Sequence, residues 1–283
     1  MDLTNRFALQ RQFGPKLAIP FASSLSFSQA NELVVIGGPC SVESPEQVDR
    51  IVPLVAPHAT FMRGGVFRAG TYPPKEFGLK FDLLKYYHQK TKEAGKANIV
   101  EILDYRQIEQ IDPYAGAFQV GARAAQNYTL LTELAKQPKP VFLKRGPWQK
   151  LDEWLGSLEY FAQAGKTNVM LIERGIVGVD NHTRYSLCLS SIPAIAAICN
   201  VPVIVDASHG TGRRDIVPQM TFAGVACGAA GVLLETHYDP DASLSDSDQA
   251  IDIETFKKTV EVCKKQHELL RAEFYSGYAN RNS

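Results

Sequence analysis

The chain has 283 residues, with 30 lysines and arginines against 30 aspartates and glutamates, and 45% of it is hydrophobic. That length and apolar content suit one large domain with an ample core. A net charge of zero points away from a nucleic-acid partner and from an anionic membrane surface.

Residues 1–31 are weakly patterned, with Pro15, Pro20 and several serines between short apolar pieces. They are too few for a separate domain and read as an N-terminal extension, a flap or hairpin, ahead of a domain at 32–283. The first residues lack a continuous apolar signal core and no later apolar run is long enough to span a bilayer, so the expected location is the cytoplasm. From residue 32 onward, β-branched apolar runs alternate with amphipathic stretches. The runs predict strands at 33–37, 61–64, 98–103, 117–121, 141–144, 169–173, 201–205 and 232–235. Ser44, Pro45 and Glu46 open the first helix with a cap, a proline and an acid in the first turn. Further helices are predicted over 80–94, 105–111, 127–136, 151–164, 185–198, 215–227 and 253–274. Eight strand–helix units in about 250 residues predict an α/β fold, a closed (β/α)8 TIM barrel. A doubly wound open sheet is the runner-up, but it wants a glycine-rich phosphate loop after the first strand, and GGPC at 37–40 is not one.

Five cysteines, at 40, 188, 199, 227 and 263, are scattered without paired spacing and predict no disulfide framework. Cys40 stands apart because it follows Gly-Gly-Pro at the end of a strand. A second run, VIVDASHGTGRRD at 203–215, delivers Asp206, Ser208 and His209 at a strand tip before turning on glycines. In a closed parallel barrel all such tips converge on one mouth. In chain order they offer Cys40, Arg63, Glu101, Arg123, Lys144, Glu173 with Arg174, Asp206 with His209, and Glu235. Four cations, Arg63, Arg123, Lys144 and Arg174, exceed what a core tolerates unpaired, and a compact dianion or trianion is the expected counterpart. The alternative is that they form structural ion pairs with Glu101 or Glu173. Cys40, His209 and Glu235 supply a thiolate, an imidazole and a carboxylate, a mix suited to a borderline divalent transition ion. Asp246, just beyond the eighth strand, is a candidate fourth ligand, and His237 is a competing one.

Four motifs in this order, GGPCSVES (37–44), LKRG (143–146), IERG (172–175) and DASHGTGRRD (206–215), resemble the class I 3-deoxy-heptulosonate 7-phosphate (DAHP) synthases and the related 3-deoxy-octulosonate 8-phosphate synthases. The resemblance runs from residue 33 to about residue 270. It implies a TIM barrel that condenses phosphoenolpyruvate with an aldose or aldose phosphate, releases inorganic phosphate and leaves a 3-deoxy-2-ulosonic acid. It implies Cys40, His209, Glu235 and Asp246 as ligands of a divalent metal ion (manganese, iron, cobalt or zinc) and Arg63, Arg123, Lys144 and Arg174 as phosphoenolpyruvate ligands. Lys144 is the implied proton carrier, with His209 and Cys40 also in the catalytic set, and Asp206, Arg68 and Thr71 complete the substrate contacts. A homodimer or homotetramer is implied as well. One motif departs from the family pattern: the usual Lys-Pro-Arg-Thr after the second strand is RAGT at 68–71, which puts Gly70 where an arginine grips the acceptor phosphate. The same chemistry on a non-standard acceptor is therefore an alternative expectation, and Trp148 is expected to overhang that acceptor. A non-catalytic phosphoenolpyruvate-binding regulator is a further alternative, disfavoured because a pure binder requires no Lewis acid.

Overall fold

The computed structural model describes residues 32–67, 80–179, 181–199 and 201–273 in full, and the backbone alone at 18–20, 26–28 and 274–275. Ahead of the domain, β1 (Ala18–Pro20) and β2 (Ser26–Ser28) pair antiparallel, with Ile19 opposite Phe27. Eight parallel strands then close into a barrel: β3 (Val34–Gly38), β4 (Phe61–Arg63), β5 (Ala97–Glu101), β6 (Ala117–Val120), β7 (Val141–Lys144), β8 (Val169–Glu173), β9 (Val203–Asp206) and β10 (Gly231–Glu235). Each pairs with its successor in the chain, and β10 shuts the barrel on β3 with Gly231 opposite Val34 and Glu235 opposite Gly38. Except for the two ends of β5, every residue of the eight barrel strands is buried. That is why these strands read as continuous apolar runs, since helices cover one face of a parallel barrel and side chains fill the other. Across the interior, the rings of Phe61 and Phe142 meet edge to face with centroids 5.3 Å apart.

The helices start where their caps put them. In α1 (Pro45–Val55) the Ser44 hydroxyl accepts from the Gln47 amide, and Val48, Ile51, Val52 and Val55 form the buried stripe. In α2 (Phe81–Glu93) the buried side chains are Leu84, Tyr87 and Thr91. The 105–111 helix is made of a 3-10 turn at Tyr105–Gln107 and α3 (Ile108–Ile111), and it runs on into a 3-10 turn at Asp112–Tyr114 that holds Pro113. Asn127 caps α4 (Tyr128–Ala135), and α5 (Leu151–Gln163) buries Trp154, Leu155, Leu158 and Phe161.

The largest departure from expectation is at 185–198, where only α6 (Ser191–Ala196) is helical. Upstream, Ile176 and Ser186 exchange backbone hydrogen bonds and the Tyr185 amide donates to the Gly210 carbonyl, which holds that stretch extended. A single helical turn absent from the sequence reading, α7 (Ala207–Thr211), follows β9 directly and ends on Gly212 at φ +64°. Thereafter come α8 (Val217–Ala226), with Pro218 in its first turn, and α9 (Ile253–Leu270), capped by Asp252.

Two glycines set the geometry of the first strand. A Cβ at Gly37 would lie 2.7 Å from the Phe256 ring and 2.9 Å from Val55, so this residue lets α1 and α9 close on the barrel. Gly38 has φ +141°, and a Cβ there would lie 2.0 Å from the Arg63 carbonyl oxygen. We predict that Gly38→Ala costs about 2 kcal/mol or more, from backbone strain and the forced separation of β3 from β4. A thermal melt reads this directly, and an unshifted midpoint would rule out the close approach as a constraint.

Candidate active site

The barrel mouth is built from strand ends. Arg63, Glu101, Lys144, Glu173, Asp206 and Glu235 are the last residues of β4, β5, β7, β8, β9 and β10. Cys40 lies two residues past β3, Arg174 one past β8, and His209 within α7, while Arg123 is exposed in the 3-10 turn Ala122–Ala124 behind β6. Gly121 leaves room for Glu101, because a Cβ at 121 would lie 2.0 Å from its carboxylate oxygen. Burial pushes the Glu101 carboxyl up, against the pull of Lys144 and Arg63.

Asp206 ties three of these elements together. Its carboxylate accepts from the His209 amide at 3.0 Å, capping α7, from Lys144 Nζ at 2.9 Å, and from His209 Nδ1 at 2.8 Å. Burial opposes its ionisation, but His209 and Lys144 outweigh burial and hold the carboxyl well below the usual range. With Nδ1 held by Asp206, Nε2 is the ring nitrogen of His209 left facing the mouth.

That nitrogen lies 3.1 Å from Glu235 Oε1. Ligating atoms of Cys40, His209 and Glu235 all lie within 4.8 Å of one another. A sulfur, a nitrogen and a carboxylate oxygen at that spacing fit a borderline divalent ion, because facing lone pairs favour a cation between them. Asp246 joins through Cys40, whose thiol donates to Asp246 Oδ2 at 2.8 Å, and its backbone is left-handed at φ +52°. Glu235 is further bonded by the Arg63 guanidinium and the Gln249 amide, and its own amide donates to Ser208 Oγ at 3.0 Å. Burial works against its charge, yet His209 and Arg63 hold it well below the usual carboxylate range. His237, the competing candidate, is engaged elsewhere: Nδ1 meets the Asp239 backbone and Nε2 lies 3.2 Å from the Gln47 amide.

The expected cation cluster divides in two. Arg63 and Lys144 are paired with Glu235 and Asp206. Glu173, considered from the sequence as a partner for Arg174, belongs instead to Arg145 at 2.8 Å, and also accepts from Ser191 Oγ and the Gly175 amide at 2.7 Å each. Arg174 is left with one long bond, from Nη2 to the His209 carbonyl at 3.4 Å. It is buried, and its Nε and Nη1 have no hydrogen-bond partner. Burial lowers its affinity for the proton, although Asp206 and Tyr185 oppose this. The guanidinium lies 3.9 Å over the Tyr185 ring. Despite partial burial, the Tyr185 phenol is pulled down by Arg174, Arg184 and Arg123, which shows how cationic this corner of the mouth is.

Arg145, Tyr185, Arg184 and Gln249 escaped the sequence reading as site residues, and Ser208 was placed at the strand tip without a role. Arg145 stood inside a quoted motif next to Lys144, and Tyr185 and Arg184 lay where a helix was expected or just before it. Arg184 now reaches Asp246 at 3.4 Å. Arg68 and Thr71 lie outside the described residues, as does Gly70. Trp148, in the loop after β7, is 77% exposed. Among the described residues, no helix is long and apolar enough to cross a membrane.

Comparison with known proteins bears directly on this mouth. The model of the DAHP synthetase I family matches residues 19–272. A phospho-2-dehydro-3-deoxyheptonate aldolase of Thermotoga maritima is 37% identical over 232 residues, which is 82% of this chain and 69% of that protein. A 2-dehydro-3-deoxyphosphooctonate aldolase of Rhizobium meliloti is 27% identical over 85% of this chain and 91% of its own length. The crystal structure of the Thermotoga maritima DAHP synthase superposes with a TM-score of 0.85 at 34% identity, covering 92% of this chain and 76% of that one. With a family model spanning nearly the whole barrel and a relative above one-third identity, this chain belongs to the DAHP synthetase I family.

Proposed function

We propose that the chain joins phosphoenolpyruvate to an aldose or aldose phosphate and releases inorganic phosphate. The observation that carries this reading is Arg174, a buried guanidinium in the mouth with two N–H groups unpartnered, beside a compact thiol, imidazole and carboxylate set. A phosphate or carboxylate on the substrate is the natural partner for those donors. Arg123, Arg63 and Lys144 supply further positive charge around it.

Carbon 3 of the enol ether attacks the aldehyde carbon, and the aldehyde oxygen takes a proton. Positive charge at carbon 2 is met by water, which loses a proton, and the resulting hemiketal phosphate collapses to a ketone as inorganic phosphate leaves. Lys144 handles the protons, its Nζ being 2.9 Å from Asp206 and 3.4 Å from His209 Nδ1. Cys40, His209 and Glu235, with Asp246 beside them, are the residues to hold a divalent ion, manganese, iron, cobalt or zinc, which when bound supplies Lewis-acid polarisation of the aldehyde oxygen. We carry forward from the family resemblance a homodimer or homotetramer in the cytoplasm.

A second reading concerns the acceptor alone. With Gly70 at the position of an arginine, the site lacks one bidentate phosphate contact, worth about 1.5–3 kcal/mol. An acceptor without that phosphate, or carrying it elsewhere, then competes with erythrose 4-phosphate.

A phosphate-release assay with phosphoenolpyruvate and a panel of phosphorylated and free aldoses tests both readings. Release requires an aldose and stops in excess chelator, and Cys40→Ser retains metal more weakly because a hydroxyl replaces a thiolate. Turnover that persists undiminished in chelator would refute the ion. For the acceptor reading, erythrose 4-phosphate is used poorly by the natural chain and better after Arg68→Lys, Ala69→Pro and Gly70→Arg together.

For Arg174 the expected result is calorimetric. Arg174→Ala weakens phosphoenolpyruvate binding about 10- to 150-fold, the scale of a lost charged hydrogen-bonding partner. Tyr185→Ala, which removes the ring beneath the guanidinium, weakens it by a smaller factor, and Tyr185→Phe, which keeps the ring, weakens it least. Unchanged affinity in Arg174→Ala would make that arginine a structural residue.

A further inference from the structure

A second concave site lies at the other end of the barrel, where the strands begin. Its wall includes Leu33 just before β3, Phe61 and Ala97 at the starts of β4 and β5, and Gly116 just before β6. The cavity holds about 790 Å³, within the usual ligand-pocket range of about 300–1,000 Å³. Its lining is basic: Lys92, Lys96 and Lys264 with His58, His88 and His267, plus Lys139, against Glu32 and Glu268 as the acids.

Most of this positive charge has no internal counterpart. Lys139 is paired with Asp112 at 3.1 Å, and Lys92 sits in the last turn of α2, where the helix dipole favours a cation. Lys96 and Lys264 have neither help, and neither makes an ion pair or side-chain hydrogen bond with a described residue. Burial and the Lys264 charge both depress Lys96, and after burial the charges of Lys257 and Lys264 depress His58, despite Glu254. The cations are thus close enough to repel one another.

The segments outside the described residues carry more bases than acids. Residues 1–31 bring one acid, Asp2, with Arg6, Arg11 and Lys16, while 68–79 bring Glu76 with Arg68 and Lys75, and the remaining positions bring Asp180 and Arg281.

The imidazoles add directed hydrogen-bonding groups. Asn98 gives its amide N–H to the Tyr114 carbonyl, so its Oδ1 accepts from His88 Nδ1 at 2.9 Å, and His88 Nε2 is left available. His267 Nε2 is buried without a partner. Ammonium groups that repel each other match a ligand bearing several negative oxygens, and an imidazole nitrogen that carries no proton meets a hydroxyl or protonated oxygen of it.

We propose that this cavity is a second ligand site, distinct from the mouth, that takes a small polyanion of the polycarboxylate or phosphorylated class. Such a ligand rests under the first residues of β4 and β5, the strands whose last residues are Arg63 and Glu101. The inference does not depend on the reaction proposed above.

Titration calorimetry of the full chain with citrate, and separately with inorganic pyrophosphate, tests it. At least one of the two probes saturates a site with Kd below about 1 mM, and that binding survives Arg174→Ala. It weakens at least tenfold in the Lys96→Gln, Lys264→Gln double variant and is restored in the Lys96→Arg, Lys264→Arg pair. Lys264 is exposed, so the single Lys264→Glu variant stands in should the double variant melt early. No saturable binding of either probe, binding that vanishes in Arg174→Ala, or binding indifferent to the two lysines would each overturn the proposal.

Discussion

A carboxylate that is wholly inaccessible to water and still ionised has to be held by its neighbours, and Asp206 is held by Lys144 and His209. From that one group the geometry of the mouth follows. It ends β9, caps α7 and so fixes where His209 leaves the backbone, and it holds Nδ1 so that Nε2 faces Cys40 and Glu235. It also restrains the ammonium of Lys144, which comes from β7, two strands away. A neutral residue at 206 would leave a buried ammonium without a counter-charge and an imidazole free to turn.

The same charge balance singles out Arg174. Three buried cations at this end of the barrel have carboxylate partners: Arg63 with Glu235, Lys144 with Asp206, and Arg145 with Glu173. Those pairs build the wall of the site and set its shape. Arg174 has an aromatic face beneath it and two idle N–H groups, the arrangement of a side chain kept rigid for a partner from outside. The wall is therefore charged yet internally balanced, and of these four buried cations Arg174 alone has no carboxylate partner.

Much of this was legible in the sequence because parallel barrel strands announce themselves. Runs such as 169–173 and 141–144 are apolar until their last residue, so the position of each polar tip followed from where the apolar run stopped. Cys40, His209 and Glu235 were brought together by this reasoning alone. Pairing was not legible. Lys144 precedes Arg145 and Glu173 precedes Arg174, and nothing in the linear order says which basic neighbour reaches which acid across adjacent strands. The stretch 185–190 was lost for a similar reason: its apolar spacing suits a helix, but Ser186 pairs with Ile176, ten residues back, and the Tyr185 amide donates to the Gly210 carbonyl, which holds its start extended. Local pattern yields to such tertiary partners when they satisfy the backbone better.

The β3–β10 seam has a consequence for the architecture as a whole. Cys40 stands on one side of it and Glu235 and Asp246 on the other, with 206 residues of chain between the thiol and the Asp246 carboxylate. The most chemically specialised contacts are thus also among the most remote along the polypeptide, formed where the first barrel strand meets the last. Parting β3 from β10 would therefore also dismantle the thiol–imidazole–carboxylate set. A circularly permuted chain, opened on the far side near β6, would move the edge elsewhere and make these contacts short-range, so the barrel's vulnerability to opening and its chemistry would no longer share a location.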